Sequence, residues 1–391
     1  MAIIAGGVKL EKVPALLYEG LILQRSFMVK MFDSLSGYID FLKSFSFDFE
    51  PFEAVRNKTK KAVISVGKSA SYMYEKFVLR YPEAAEIPVF AVLPFGSDCG
   101  ILKKENVVFS THPHLSGHSF EAAEKMITFI KTLEPENVIV LLSGGSSALI
   151  EKSYDEKNAF QLNENLLKSG LPITEINKKR SEYSLVKNGK LAEMFDKINW
   201  FVFVASDIPF ENGEKVVGSM PFFRDDLKNT RLFKCADSDS LHDALLKQLP
   251  ENTESFRRFA GSADDLKVLL QSRIEAGAES VLITGEPLLK VSSENAGTGG
   301  RMSHFALTMF PFIKSGMKLY ALSSDGIDGN SPFAGSIIEG GLKMIPESEV
   351  SAALENYNSA ELLDKYGFMI KSGYTGINLN DFVVFLRKSV L

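Results

Sequence analysis

Short, wholly apolar runs recur along the chain, each closing on Gly, Ser or Asp and leading into an amphipathic stretch. They cover residues 62–66, 88–93, 138–142, 201–205, 280–284 and 319–322. Runs apolar at every position predict strands buried on both faces, as in parallel sheets covered by crossover helices. Ligands of such sheets bind beyond the carboxyl ends of the strands. Chemistry is therefore sought in Gly67-Lys68, Ser143-Gly144-Gly145, Ser206-Asp207, Gly285-Glu286 and the stretch 323–329.

At 391 residues the chain exceeds what one core sustains, which predicts two domains. Between Met220 and Gly261 it turns polar and loses the strand pattern, so the division is set at 1–222 and 223–391. The first 60 residues read as helices. They end in the alternation Phe45-Ser46-Phe47-Asp48-Phe49-Glu50-Pro51-Phe52, read as a segment packed onto the first domain.

A 45% hydrophobic and 24% charged composition is that of a globular protein. The formal net charge of -5, without a basic run longer than Lys178-Lys179-Arg180, argues against nucleic acid, so substrate anions must be met by local features. Two distant cysteines, Cys99 and Cys235, fit a reducing compartment, with the cytoplasm as the expectation. No signal peptide is read in the first residues, and no run reaches the roughly 18 apolar residues of a membrane span. A homodimer is compatible with all of this.

Ser143-Gly144-Gly145-Ser146-Ser147 leaves a strand and enters a helix with no side chain at two positions. Backbone N–H groups there can approach a phosphate or carboxylate; a plain tight turn would explain the glycines alone. The same stretch approximates the nucleophile elbow G-x-S-x-G, but Ala148 replaces its last glycine. Gly67-Lys68-Ser69 invites comparison with the Walker loop and fails it, because Ala62 stands where a glycine is required. Lys68 nonetheless sits at a helix start, where it can meet phosphate as a point charge.

Gly297-Thr298-Gly299-Gly300-Arg301 repeats the pattern of a glycine loop meeting a helix, now with a guanidinium suited to phosphate or carboxylate. Met302 replaces the third glycine of G-x-G-x-x-G, so a nicotinamide-dinucleotide fingerprint is missing. Asp325 and Asp328, on a glycine-rich loop after a strand, suit Mg2+ or a hydroxyl proton, while an Asp-Gly turn is the plainer reading. His112, His114 and His118 match no common zinc spacing and are read as loop residues.

In this order, the motifs resemble the glycerate 2-kinase family, whose members carry a C-terminal MOFRL domain. The resemblance runs from about residue 62 onward. It is carried by 66–70, His112-Pro113, 142–150, Ser169-Gly170, 173–177 and Arg180, then by 187–192, Ser206-Asp207 and Gly285-Glu286-Pro287. Further matches are 297–301, 324–329, Ala334-Gly335, Thr375-Gly376 and Asn378-Leu379-Asn380-Asp381. It implies a Rossmann-like α/β/α domain with a mainly parallel sheet, a C-terminal α/β MOFRL domain, and an active site in the cleft between them. It further implies transfer of the ATP γ-phosphoryl group, with Mg2+, to the 2-hydroxyl of glycerate or a related small hydroxy acid.

The family's key lysine and arginine fall on Lys68 and Arg301, and Asp207 joins them as a catalytic candidate. Ser143, Gly144, Gly145, Ser146 and Ser147 would hold the substrate carboxylate or phosphate, with Asn177, Arg180, Gly299 and Gly300. Lys190 and Glu286 would meet the nucleotide, and Asp325 and Asp328 the metal. Because Lys68 and Arg301 come from different domains, closure over the substrate is expected.

Some stretches depart from the family. Met302-Ser303-His304 stands where members show Asn-Gln-Glu, and Ile208-Pro209-Phe210-Glu211 follows Asp207 in place of a Pro-Gly-Asp turn. Glu182-Tyr183-Ser184 replaces His-Leu-Ser. These changes leave open a ligand-binding protein without turnover; the resemblance also brings in a hydroxypyruvate reductase reading, since relatives are often described so, and the missing dinucleotide fingerprint speaks against it.

Overall fold

The computed structural model describes residues 35–169, 171, 173–208, 210–291, 296–342 and 344–387. Most of the expected N-terminal helical segment (1–34), Gly170 and Pro209 lie outside the described residues.

The first sheet contains β1 (Lys61–Val66), β2 (Val89–Pro94), β3 (Val107–Ser110), β4 (Asn137–Ser143), β5 (Asn199–Ala205) and β6 (Thr230–Ala236), in the order β3-β2-β1-β4-β5-β6. Every neighbouring pair is parallel. Chain order reverses between β1 and β4, and there the connecting loops part to leave a crevice. The expected runs 62–66, 88–93, 138–142 and 201–205 are its central strands.

The second sheet runs β11-β10-β9-β12-β8-β7, from β7 (Glu254–Phe259), β8 (Ser280–Gly285), β9 (Met317–Ser323), β10 (Gly335–Glu339), β11 (Met369–Ile370) and β12 (Asp381–Arg387). It is mixed: β12 lies between β8 and β9, antiparallel to both. The reversal has a chemical result. Asp381, the first residue of β12, stands opposite Gly285 and Ser323, which end β8 and β9.

The segment 220–261 does hold strands, contrary to the sequence reading. Both are edges: β6 borders the first sheet and β7 the second. An edge strand tolerates exposed charges, here Arg231 and Lys234 in β6 and Arg257 and Arg258 in β7, so neither forms an apolar run. The first sheet accordingly extends to Ala236, beyond the division set at 222 and 223.

Alternation along the strands distributes side chains between cores. In β5, Phe201, Phe203 and Ala205 enter one cluster while Trp200, Val202 and Val204 enter another. In β12, Phe382, Val384 and Leu386 join the cluster holding Phe203, whereas Val383 and Phe385 face the far side of the second sheet. One core is thus shared by both sheets. Phe45, Phe47, Phe49 and Phe52 are buried in it, with Phe49 edge-on to Phe203 at 5.8 Å and Phe52 edge-on to Phe77 at 4.8 Å. The aromatic alternation is core packing between the sheets.

Candidate active site

At the reversal between β1 and β4, the two loops hold each other. Lys68 N–H donates to Gly144 O at 2.9 Å, and Ser69 N–H to Ser143 Oγ at 3.0 Å. The Ser146 hydroxyl donates to Ser143 O at 2.9 Å and is fully buried. Ser143 and Ser146 hydroxyls are therefore structural, and the nucleophile-elbow reading falls with them.

The backbone of the same loop is open. Among the described residues, no group accepts from the N–H of Gly144, Gly145, Ser146 or Ser147. Gly145 has φ 86°, a conformation that favours glycine, and a Cβ there would lie 3.1 Å from Lys68 Cγ and 3.0 Å from His112 Cδ2. Lys68 and His112 thus flank the amides. His112 belongs to the cleft wall, while His114 pairs with Glu164 at 2.6 Å and His118 lies near Glu121.

Lys68 reaches the second domain, its Nζ standing 3.8 Å from Asp325 Oδ2. Asp325 Oδ1 accepts the Ile327 N–H at 3.0 Å. Asp207, beyond β5, is gripped from the second domain: Asn378 Nδ2 donates to its Oδ2 at 2.7 Å and Asn380 Nδ2 to its carbonyl at 2.6 Å. A Cβ on Gly144 would collide with that carboxylate, so the glycine lets Asp207 approach the open loop. Desolvation raises the Asp207 carboxyl above its ordinary range; Lys68 and the Asn378 amide pull the other way, and Glu286 adds to the rise. Desolvation raises Asp325 as well, against the pull of Lys68 and Arg301.

Arg301 opens helix Arg301–Met309 between two carboxylates, with Nη1 2.5 Å from Glu286 Oε1 and Nε 3.0 Å from Asp381 Oδ2. Asp381 is buried and also accepts from the Ser323 hydroxyl. Burial pushes its carboxyl up to about 7 despite Arg301, and Asp328 and Asp325 contribute to the rise. Met302 is buried in the core, and the His304 ring stacks on Tyr357 at 5.6 Å. The departure after Arg301 therefore falls on packing residues, and carboxylates do stand beside the guanidinium.

The loop 297–301 is closed. Thr298 N–H donates to Asn358 Oδ1 at 2.9 Å, Gly299 N–H to Asn330 Oδ1 at 2.8 Å and Gly300 N–H to Ser303 Oγ at 2.9 Å. Asp328, 1% exposed, accepts the Met302 and Ser303 amides at 2.9 and 2.7 Å. Two expectations are corrected here. Gly299 and Gly300 do not present an anion cradle; they are small because a Cβ on Gly299 would meet Ser359 Oγ at 2.6 Å and one on Gly300 would strike Asp328 and Gly329. Asp328 caps the helix with both oxygens and is not a free metal ligand.

Behind the open loop, Ser147 Oγ lies 2.8 Å from Ser219 Oγ and accepts from Arg180 Nη1 at 3.3 Å. Asn177 joins them, accepting from Ser219 Oγ at 2.7 Å and donating to Val216 O at 3.0 Å. Lys190 does not reach the cleft: its ammonium donates to the carbonyls of Ser181 and Ser184 at 2.5 and 2.7 Å, capping the end of helix Ile173–Tyr183, which corrects the nucleotide role. Glu286 does lie at the cleft, on Arg301.

Sequence reasoning assigned no role to Asn378, Asn380 or Asp381. Asn378 and Asn380 precede, and Asp381 opens, a strand that runs against its neighbours, so its start lies at the edge where the other strands end. Their signal was the run Asn378-Leu379-Asn380-Asp381, polar at three of four positions, immediately ahead of five apolar residues.

Two sheets sharing a core, with a lysine, open amides and desolvated carboxylates meeting where strand order reverses, define a two-domain α/β enzyme whose cleft suits an anionic substrate. The family described as "Domain of unknown function (DUF4147)" matches residues 41–253, and the MOFRL family matches 279–381. A glycerate 2-kinase of Sulfurisphaera tokodaii is 32% identical over 373 residues, covering 83% of this chain and 90% of that protein. A D-glycerate 2-kinase of Thermotoga maritima is 26% identical, covering 84% of this chain and 91% of that protein. In fold, a solved glycerate kinase of Thermotoga maritima superposes with a TM-score of 0.77 at 21% identity, over 94% of this chain and 100% of that one. The chain belongs to the glycerate 2-kinase (MOFRL/DUF4147) family. Among the described residues, no helix is long and apolar enough to cross a membrane.

Proposed function

We propose that this protein transfers the γ-phosphoryl group of ATP to the 2-hydroxyl of glycerate or a closely related small hydroxy acid, giving 2-phosphoglycerate from glycerate. The relatives named as glycerate 2-kinases support the acceptor and reaction class. The observation that carries the reading is the meeting at Lys68, whose ammonium lies 3.8 Å from Asp325 of the other domain and whose stem flanks the open amides at Gly145.

Phosphoryl transfer asks a protein mainly to hold reactants in line and to neutralise charge on the transferring group. Lys68 and the N–H groups of 144–147 supply fixed positive ends on the first domain's side of the cleft, and Arg301 faces them from the second. Asp207 is the candidate base for the substrate hydroxyl. Its raised proton affinity makes it a stronger acceptor than an exposed carboxylate.

The donor set fits Mg2+ held in the manner of many kinases, through one or two carboxylates with the remaining ligands from phosphate and water. Asp325 would hold it, since Asp207 is kept for the substrate hydroxyl and Asp328 is engaged by the helix. When bound, the ion would neutralise phosphate charge.

The test is an ATP-dependent assay over small hydroxy acids, with 31P NMR distinguishing 2- from 3-phosphorylated products. Glycerate is expected to give the 2-phosphate in wild type and almost none in Lys68→Ala. Folded wild-type protein that turns over none of these acids overturns the proposal.

A further inference from the structure

Helix Leu35–Ser44 touches both domains, one at each end. Tyr38, Phe41, Leu42 and, just past its end, Phe45 recur at helical spacing, and all four are buried in the core that the two sheets share. At the last turn, the Tyr72 hydroxyl lies 2.9 and 3.0 Å from the carbonyls of Leu42 and Lys43, and Lys76 Nζ donates to the latter at 2.6 Å. Both donors stand on helix Ala70–Arg80 of the first domain, which begins two residues after Lys68. One turn earlier the partner changes. Tyr38 packs its ring against Phe382 at 6.3 Å and donates its hydroxyl to Ser323 O at 2.6 Å, both in the second domain.

Ser323 is the point from which two parts of the site are held. Its carbonyl also accepts the Gly326 N–H at 3.2 Å, closing the turn that presents Asp325 to Lys68. Its hydroxyl donates to Asp381, which stands 3.0 Å from Arg301 Nε. Tyr38 is buried, and the Ser372 side chain hydrogen-bonds its oxygen. Burial, then Asp325 and Asp381, keep the phenol protonated, so Ser323 meets a permanent donor. In sequence, Tyr38 precedes both family-matched stretches, 41–253 and 279–381.

We infer that Tyr38 is a positioning residue for phosphoryl transfer, aiming Arg301 through Ser323 and Asp381, with helix Leu35–Ser44 as the strut that sets this assembly against Lys68. The inference rests on the kinase reading and adds to it a residue that acts through others. A guanidinium that must face the transferring group works only while its own carboxylate is fixed, and Asp381 is fixed by a serine whose backbone Tyr38 holds. The strut ties that serine to the helix that starts beside Lys68, so the two cationic sides of the cleft share one brace.

The experiment is a double-mutant cycle of Tyr38→Phe with Asp381→Asn, read as kcat and KM for glycerate. Tyr38→Phe keeps the ring on Phe382 and deletes the donor; kcat should fall roughly tenfold while KM moves less than about threefold. Asp381→Asn keeps an acceptor for Ser323 and breaks the ion pair with Arg301. In that background Tyr38→Phe should cost less than about threefold more, because the route to the arginine is already cut. A second tenfold loss, multiplying the first, would mean that Tyr38 serves only the fold, and would overturn the inference; so would an unchanged kcat in the single variant. If wild type turns over nothing, the kinase proposal fails, and amide exchange in the free protein still decides the brace. Faster exchange at 323–328 in Tyr38→Phe, with 137–143 as in wild type, upholds it; unchanged exchange, or equal acceleration in both stretches, ends it. Should Tyr38→Phe not fold, Tyr72→Phe releases the other end of the strut and carries the same cycle.

Discussion

The two glycine-rich loops of this protein look alike in sequence and differ in what their amides do. Loop 143–147 leaves β4 with four N–H groups that no described residue accepts from. Loop 297–301 delivers its N–H groups to Asn358, Asn330 and Ser303, and the next two amides to Asp328. In the first, glycine admits Asp207 and Lys68 to a cleft; in the second, it admits the protein's own Asp328 and Ser359. A glycine run before a helix is thus evidence of close approach, and only the neighbours tell whether ligand or protein approaches.

The contrast can be broken by substitution. The largest effect is expected at Lys68, where removing the ammonium beside the open loop should lower kcat by roughly 10^3 or more while leaving the melting temperature nearly unchanged; a loss below tenfold in the phosphoryl-transfer assay would contradict its role. Next is the pair Gly144→Ala and Gly300→Ala. The first pushes Asp207 out of position and should cost turnover roughly 10^2 with a small change in stability. The second forces Asp328 from the helix it caps and should cost stability about 1–3 kcal/mol in denaturant unfolding. If the two variants exchanged phenotypes, the roles given to the loops would be reversed. Asp328→Ala should resemble Gly300→Ala, losing about 1–2 kcal/mol as the Met302 and Ser303 amides lose their acceptor.

The smallest effect is in pH. Asp381 has a folded-state carboxyl raised to about 7, well above that of an unfolded chain. Such a group binds more protons folded than unfolded, so its contribution favours the folded state at acid pH and is lost as pH rises from about 4 through about 7. Asp381→Asn removes that dependence. The melting temperature of the variant relative to wild type should therefore shift upward between pH 5 and pH 8; a difference that is flat or falls over this range would show that Arg301 keeps Asp381 ionised throughout.

Much of this was legible in the residues. Interior strands read clearly because both faces are buried, and searching their carboxyl ends found Lys68, the 143–147 loop, Asp207, Glu286 and Asp325. Edge strands β6 and β7 did not, since one flank meets solvent and arginine is tolerated there. Asp381, Asn378 and Asn380 went without a role because β12 runs against its neighbours and brings the start of a strand to the edge where the others end. Asp328 and Lys190 were misjudged for another reason. Each is a charged residue near a helix end, where an unsatisfied row of N–H or carbonyl groups competes with any ligand for it.

The most direct test of the difference between the loops is amide hydrogen exchange, followed by peptide mass with and without glycerate, Mg2+ and a non-hydrolysable ATP analogue. Fast exchange is expected at 144–147 in the free protein, slowing on addition of the ligands, with slow exchange at 298–303 that the ligands leave unchanged. Protection that appears at 298–303 while 144–147 stays as it was would contradict that difference.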